Sequence, residues 1–391
     1  MLMLEKDKCS GCELCVTICP RQSISMRADE EGFRYPYIDM NRCNKCKLCV
    51  SMCPINNIDK IRIHTHNIKA FSGFYENADK LKKSASGGIA SALAEKVISE
   101  GGIVFGVTYC DNYKNAKYIE ISKHDEINLL KGSKYIHAEK GNIYKKVKTH
   151  VKQKQQVLFV GLPCEVAAVK SYLRKEYDNL ITCDLICHGP TSPKVAEQYI
   201  DHLEQLHQSH LKFFSVRHKE TGWTPVYMKA EFENNDIFIK PFSETEYGVA
   251  FVNMVRKSCE NCSFKGDNRV SDLTIGDFWG ITPSNKAYNK NGVSIILVNT
   301  EKGEKILREI NEFSLSEADI NLAISSNPRL NSSKPNAYRE RFSDWFIRYG
   351  LFYACKKNMT FKQKIKKFIK MSTPKLLHPY MKTIISSLRR K

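Results

Sequence analysis

Two cysteine runs near the start of the chain carry the clearest chemistry. They read Cys9-Ser-Gly-Cys12-Glu-Leu-Cys15-Val-Thr-Ile-Cys19-Pro20 and Cys43-Asn-Lys-Cys46-Lys-Leu-Cys49-Val-Ser-Met-Cys53-Pro54. Each is C-x2-C-x2-C-x3-C-P. Three thiolates on one tight loop can hold three irons of a single cubane. The fourth iron needs a thiolate from elsewhere, and in this spacing the fourth Cys of each run serves the other cluster. Cys9, Cys12, Cys15 and Cys53 are therefore assigned to one [4Fe–4S] cluster, and Cys43, Cys46, Cys49 and Cys19 to a second. The proline after each fourth Cys fixes φ and offers no donor, which turns the chain away from the cluster. Structural zinc favours separated C-x2-C pairs, and a disulfide framework needs an oxidising compartment. The pattern matches neither.

Four further cysteines stand in loops. Cys164 ends Gly161-Leu-Pro-Cys164, Cys187 opens Cys187-His-Gly-Pro190, and Cys259 and Cys262 form a C-x2-C pair. The first two follow expected strands, where an open α/β sheet presents its functional groups. Together the four could bind a third cluster or a zinc ion, or they could be packed thiols. Cys110, Cys183 and Cys355 sit in apolar surroundings and read as small buried hydrophobes. Ser84-Ala-Ser86-Gly87-Gly88 precedes a helix and has the composition of a phosphate cradle, although Ser and Gly are also ordinary helix caps. Lys134-Tyr135 after Gly132-Ser133 could set a positive charge beside a reduced flavin, or be an exposed Lys. Asp277-Phe-Trp279-Gly280 is either a turn with a core Trp or a loop edging a cofactor. His188 could relay a proton or serve as a surface or capping residue.

The elements that must position these groups fall into segments. Residues 1–60 form a dicluster, ferredoxin-like module with an internal repeat of 34 residues from Cys9 to Cys43, and 61–80 read as a linker. Residues 70–205 alternate strands (Ile103–Tyr109, Val157–Val160, Leu180–Ile186) with helices (Ile89–Ser99, about 165–176, about 190–207). This alternation predicts an α/β body with a largely parallel sheet. Residues 206–300 have shorter strands and a helix before Cys259, and form a mixed-sheet part. Residues 301–355 read as a helix and loops, and 356–391 as a basic tail. The fold class expected is α+β, with the ferredoxin module leading an α/β body and a mixed-sheet C-terminal part.

Composition bounds the rest. In 391 residues, 42% are hydrophobic, enough for ordinary cores, and the net charge is +19. Residues 356–391 hold twelve Lys and Arg and no acid, so the body carries only about +7 and nucleic-acid binding is not expected. No leader pattern opens the chain, and no apolar run approaches 18 residues. Together with reduced thiols this predicts a cytoplasmic protein. Phe361, Ile365, Phe368 and Ile369 share one helical face among lysines, so the tail has the pattern of a helix that docks on a membrane surface or a partner.

As an ordered set, Lys83-Ser-Ala-Ser-Gly-Gly88, Gly132-Ser-Lys-Tyr135, Val157-Leu-Phe-Val-Gly-Leu-Pro-Cys164, Asp184-Leu-Ile-Cys-His-Gly189, Cys259-Glu-Asn-Cys262 and Gly276-Asp-Phe-Trp-Gly280 resemble the beta subunits of coenzyme F420 hydrogenase/dehydrogenase. The resemblance spans about residues 1–300. It implies an iron–sulfur flavoprotein oxidoreductase that binds FAD and moves electrons between its clusters and an organic substrate or cofactor, with a redox protein as donor or acceptor. It makes Ser86, Gly87, Gly88, Lys134 and Tyr135 flavin-site candidates, and Cys164, Cys187, Cys259 and Cys262 ligands of a third [4Fe–4S] cluster. The alternative function is a non-catalytic subunit relaying electrons to a partner enzyme. Nothing in the sequence indicates the substrate, the use of coenzyme F420 or the direction of electron flow, and fold alone does not supply them.

Overall fold

The computed structural model describes residues 5–63, 68–219, 222–266, 269–333 and 336–358. The proposed docking helix of the basic tail lies outside the described residues. The expected α+β class is what the chain adopts: a small N-terminal module on a body built round a mixed sheet.

In the module, the short helix Leu14–Ile18 follows the first cysteine loop, and the helix Leu48–Ser51 lies in the second run. Between them β1 (Ile24–Ala28) and β2 (Arg34–Ile38) pair as an antiparallel hairpin. Leu14 is 1% exposed and belongs to the body's main core. The module thus shares that core.

The body opens with β3 (Lys69–Tyr75), β4 (Ile103–Tyr109), β5 (Ala116–Ile121), β6 (Val157–Gly161) and β7 (Leu180–Leu185). Next come β8 (Leu211–His218), β9 (Tyr227–Phe232) and β10 (Ile237–Pro241), which form a separate three-stranded antiparallel sheet in the order β10-β9-β8. The chain then returns through β11 (Leu273–Asp277), β12 (Ser294–Val298) and β13 (Phe313–Glu317). These complete an eight-stranded sheet in the order β13-β3-β12-β11-β7-β6-β4-β5. Its four central strands β4, β6, β7 and β11 are parallel, and the remaining pairings are antiparallel. The parallel strands read as near-continuous apolar runs because helices cover them: Ile89–Ser99, Pro163–Leu173 and Pro193–His207 supply the buried faces.

Two stretches differ from the sequence reading. The expected linker over 61–80 contains β3, hydrogen-bonded on both sides within the sheet. Its apolar pattern is broken by Ser72-Gly73, and Gly73 is small for a packing reason: a Cβ there would lie 2.4 Å from the Phe313 ring. The helix-and-loop stretch after 300 contributes β13, whose alternate residues are polar because it is an edge strand. Strands from the expected linker and from three of the expected segments therefore complete one sheet.

A buried network fixes the cysteine side of this sheet. Lys140 and Glu165 pair at 2.9 Å with side chains 0% and 3% exposed, and the Tyr118 hydroxyl donates to Glu165 at 2.5 Å. Glu165 also accepts from the Leu162 amide at the start of the Pro163–Leu173 helix. That bond pins the turn that carries Cys164. Such a buried charge is tolerated because it is paired and its remaining lone pairs are satisfied.

Candidate functional site

The parallel strands end along one edge, and the sequence-predicted groups lie there: Cys164 just beyond β6, Cys187 just beyond β7, and Asp277 at the end of β11. This is the edge at which an open α/β sheet places ligands.

On the module side, one cavity of about 270 Å³ is lined by Cys9, Cys12, Cys15, Cys53 and Cys49. The thiol of Cys53, from the second run, lies within electrostatic reach of Cys9 and Cys12 of the first. Cys49 interacts with Cys19, Cys46 and Cys43. Cys53 thus lies among thiols of the first run, and Cys19 lies near those of the second. Burial pushes the Cys12 thiol up to about 12, with the neighbouring thiols adding. Cys19 behaves oppositely: burial raises it, but hydrogen bonds from Ser23 and the Arg21 and Gln22 backbone outweigh that and hold it below the ordinary thiol value.

A second cavity, of about 290 Å³, is lined by Cys164, Cys187, Cys259 and Cys262. These residues come from three separate stretches of chain and converge only in the folded protein. Burial pushes the Cys259 thiol up to about 12 and raises Cys164, Cys187 and Cys262 as well, with Cys259 and Cys262 adding to the shifts of Cys164 and Cys187. All four are partly exposed, and four thiolates held together need cations to offset their charge; bound metal is what deprotonates a thiol outright. Among the described residues, no group of three or more His, Cys, Asp or Glu closes tightly enough to hold a single metal ion. A set of four thiols fits a [4Fe–4S] cluster. No cysteine is in a disulfide. Of the remaining three, Cys183 and Cys355 are buried at 0% and 1% exposure, and Cys110, one residue past β4, is partly exposed.

His188 borders this second cavity. Burial and the Arg329 guanidinium, which donates to His188 Nε2 at 3.0 Å, bring its pKa down to about 4. The ring stacks on Phe251 at 4.6 Å, and Tyr135 stacks on Phe251 at 4.3 Å. A run of three rings therefore leads from the thiol cavity to Tyr135. Beyond it, Arg217 holds Asp277 through two hydrogen bonds of 2.5 and 2.6 Å. Asp277 also accepts from Trp223 Nε1 at 2.8 Å, and Trp223 stacks on Trp279 at 5.0 Å. Although burial raises it, Arg217 keeps the Asp277 carboxyl below its ordinary value.

The Ser84–Gly88 loop precedes the Ile89–Ser99 helix as expected, with Gly88 in the left-handed region as its cap. Its donors are engaged by the fold. The Ser86 hydroxyl donates to the Val293 carbonyl at 2.7 Å, and the Gly87 amide donates to Ser294 Oγ at 2.9 Å. A Cβ on Gly87 would stand 2.0 Å from the Gly73 carbonyl. Gly87→Ala should therefore destabilise the chain by about 1–3 kcal/mol or more, measured as a lowered urea midpoint. An unchanged midpoint would show that the loop can move away from β3.

Two lysines near these elements were not equally legible. Lys134 donates to the Leu129 and Lys131 carbonyls, and burial lowers its pKa to about 7. Lys219 donates to the carbonyls of Leu81 and Ser86 and is likewise brought to about 7 by burial, with Arg217 adding. Neither forms an ion pair with a carboxylate among the described residues. Lys219 was missed from sequence because a Lys at a strand end reveals nothing of its burial. For FAD, the fit is thus divided. The Ser86 hydroxyl and Gly87 amide are already spent on Val293 and Ser294, whereas Lys134 and Lys219 bond only to neutral carbonyls, and a phosphate-bearing ligand would favour their charged forms.

Two regions of the chain match known families. Residues 154–320 match the model of the C-terminal region of the coenzyme F420 hydrogenase/dehydrogenase beta subunit, and residues 8–57 match the 4Fe-4S dicluster domain. No curated protein matches the chain. Among solved structures, a chain of the F420-reducing [NiFe] hydrogenase complex from Methanosarcina barkeri is similar at 19% identity, over 69% of this chain and 96% of that one, with a TM-score of 0.46. Among the described residues no helix is long and apolar enough to cross a membrane. The chain thus carries, behind a 4Fe-4S dicluster domain over residues 8–57, a region over residues 154–320 that is similar to the C-terminal region of the coenzyme F420 hydrogenase/dehydrogenase beta subunit.

Proposed function

We propose that the chain is an iron–sulfur flavoprotein oxidoreductase that passes electrons between [4Fe–4S] clusters and FAD, in exchange with a redox partner protein and an organic substrate or cofactor. The observation that carries this reading is the convergence of Cys164, Cys187, Cys259 and Cys262 on one cavity beside the first cysteine loop. In this reading Cys9, Cys12, Cys15 and Cys53 hold one cluster, Cys43, Cys46, Cys49 and Cys19 a second, and the four body cysteines a third. When bound, clusters supply one-electron carriers and a flavin couples them to two-electron chemistry.

The chain's own residues contribute position and charge. Lys134 and Lys219 would hold the FAD phosphates, while Gly87 and Gly88 hold the nearby loop against the sheet. Tyr135, fixed by its stack on Phe251, is joined through His188 to the cavity of the four body cysteines and would line the flavin side. Arg217 stays fully charged through Asp277 and gives that side of the edge a fixed polar wall.

Protein purified without oxygen should contain close to twelve irons per chain, on the order of four for each cluster, and one FAD released on denaturation. About eight irons would remove the third cluster. No flavin would remove the oxidoreductase reading and leave the second one, an electron-relay subunit without a substrate site. That second reading draws on Ser86 and Gly87, whose donors are bonded within the chain.

A further inference from the structure

Arg256 is buried to 1% exposure and is one of the two largest fully buried side chains. Among the described residues it forms no ion pair with a carboxylate. Its Nε donates to the Cys9 carbonyl at 2.6 Å, and one terminal nitrogen donates to the Arg34 carbonyl at 2.9 Å and reaches the Cys9 sulfur at 3.7 Å. The other terminal nitrogen has no hydrogen-bond partner among the described residues. The guanidinium lies 4.0 Å from the centre of the Tyr35 ring.

Its location indicates which anion it serves. Arg256 lines the cavity of Cys164, Cys187, Cys259 and Cys262, while its bonds run to Cys9 of the other cavity. The two cavities share Lys8, Ser10 and Ile55 in their walls. A Cβ on Gly11 would lie 2.8 Å from the guanidinium carbon, so the first cysteine loop is closed directly over this side chain. Isolating a charge in such a place costs several kcal/mol unless an opposite charge compensates it. A [4Fe–4S] cluster with four thiolates is net negative in both of its usual redox states, and the fork of an Arg can donate in two directions at once.

We propose that Arg256 is a shared hydrogen-bond donor to two iron–sulfur clusters, the one at Cys9 and the one at Cys164, Cys187, Cys259 and Cys262. It acts as a positioning and potential-setting residue on the path between module and body. This rests on the third cluster proposed above. Hydrogen bonds to cluster sulfur and nearby positive charge favour the reduced, more negative state, so Arg256 raises both potentials together and keeps them close.

The test is a reductive titration of the full chain, purified anaerobically and followed by electron paramagnetic resonance, in wild type, Arg256→Met and Arg256→Lys. In Arg256→Met the reduction equilibrium of two clusters should fall at least about tenfold, which is about 59 mV for one electron. The cluster at Cys43, Cys46, Cys49 and Cys19 should keep its potential and serves as the internal reference. Arg256→Lys keeps the charge and loses the fork, so it should show a smaller fall in the same two clusters. It also provides the readout if the Met variant does not retain its irons. Two unchanged potentials, or a shift confined to one cluster, would overturn the shared role. A wild-type iron content near eight would instead sink the third cluster, and the Cys9-side potential would still report separately on Arg256.

Discussion

If the four body cysteines hold a third cluster, Cys187→Ala should lower the iron content from about twelve to about eight per chain and leave the signals of the two N-terminal clusters in place. This is the largest effect expected, because a cubane with only three protein thiolates in a site open to solvent on one side loses its hold on all four irons. Cys187 lies one residue past the turn out of β7, and the Gly189 amide donates to its sulfur at 3.3 Å. The thiol is therefore already oriented toward the cavity. Loss of the cluster also removes a tie between the ends of β6 and β7 and the loop at Cys259. The thermal midpoint should drop with the iron. Cys110→Ala supplies the control: Cys110 lies beyond β4 and lines neither cavity, so its iron content should match wild type. Equal iron contents in Cys187→Ala and wild type would remove Cys187 from the ligand set.

Arg339→Met has the second largest effect and strikes the joint between module and body. Glu31, in the turn of the β1–β2 hairpin, pairs with Arg339 through contacts of 3.0 and 2.6 Å, and the Ser343 hydroxyl donates to the same carboxylate. The Glu31 and Arg339 side chains are 9% and 1% exposed. Removing the arginine leaves a buried carboxylate unpaired, at a cost of about 3–5 kcal/mol. Although burial raises it, the pairing with Arg339 holds the Glu31 carboxyl below its ordinary value. The sign follows: its contribution is complete above the unfolded carboxyl value of about 4.3 and is lost as pH falls through the lower folded value. Chemical unfolding at pH 7 and near pH 3 should show a large gap between wild type and variant at the first and a smaller gap at the second. Equal gaps would mean that the pair does not carry the interface. Glu31→Gln with Arg339→Met completes a cycle that isolates the pair.

Some of this was legible in the residues and some was not, for physical reasons. The two runs could be read because a cluster loop is local: three ligands lie within seven residues, and the fourth is fixed by the repeat. Cys164 and Cys187 could be placed at strand ends, since short apolar runs followed by Gly-Pro turns mark them. Their meeting with Cys259 and Cys262 required the order of the strands in the sheet, which no local pattern contains. Ser86 and Gly87 have the composition of a ligand cradle, yet their hydroxyl and amide are spent on Val293 and Ser294. The same residue types serve a strand edge as well as a phosphate. Arg256 and Lys219 left no mark at all, because a charged residue is unusual only once its surroundings are known to be dry and to lack an acid.

The position of β3 has a consequence for how the chain is made. It pairs with β12 through Ile295 and Ile296 and with β13 through Phe313 and Leu315, partners more than 200 residues further on. During synthesis at roughly 5–20 residues per second, β3 leaves the ribosome tens of seconds at the slower rates before either neighbour exists. The cysteine runs, in contrast, are complete by residue 53. The order of assembly is thereby written into the connectivity: iron can be delivered to the module while the body is still open, and the cavity at Cys164 closes only after Cys262 and β11 have followed.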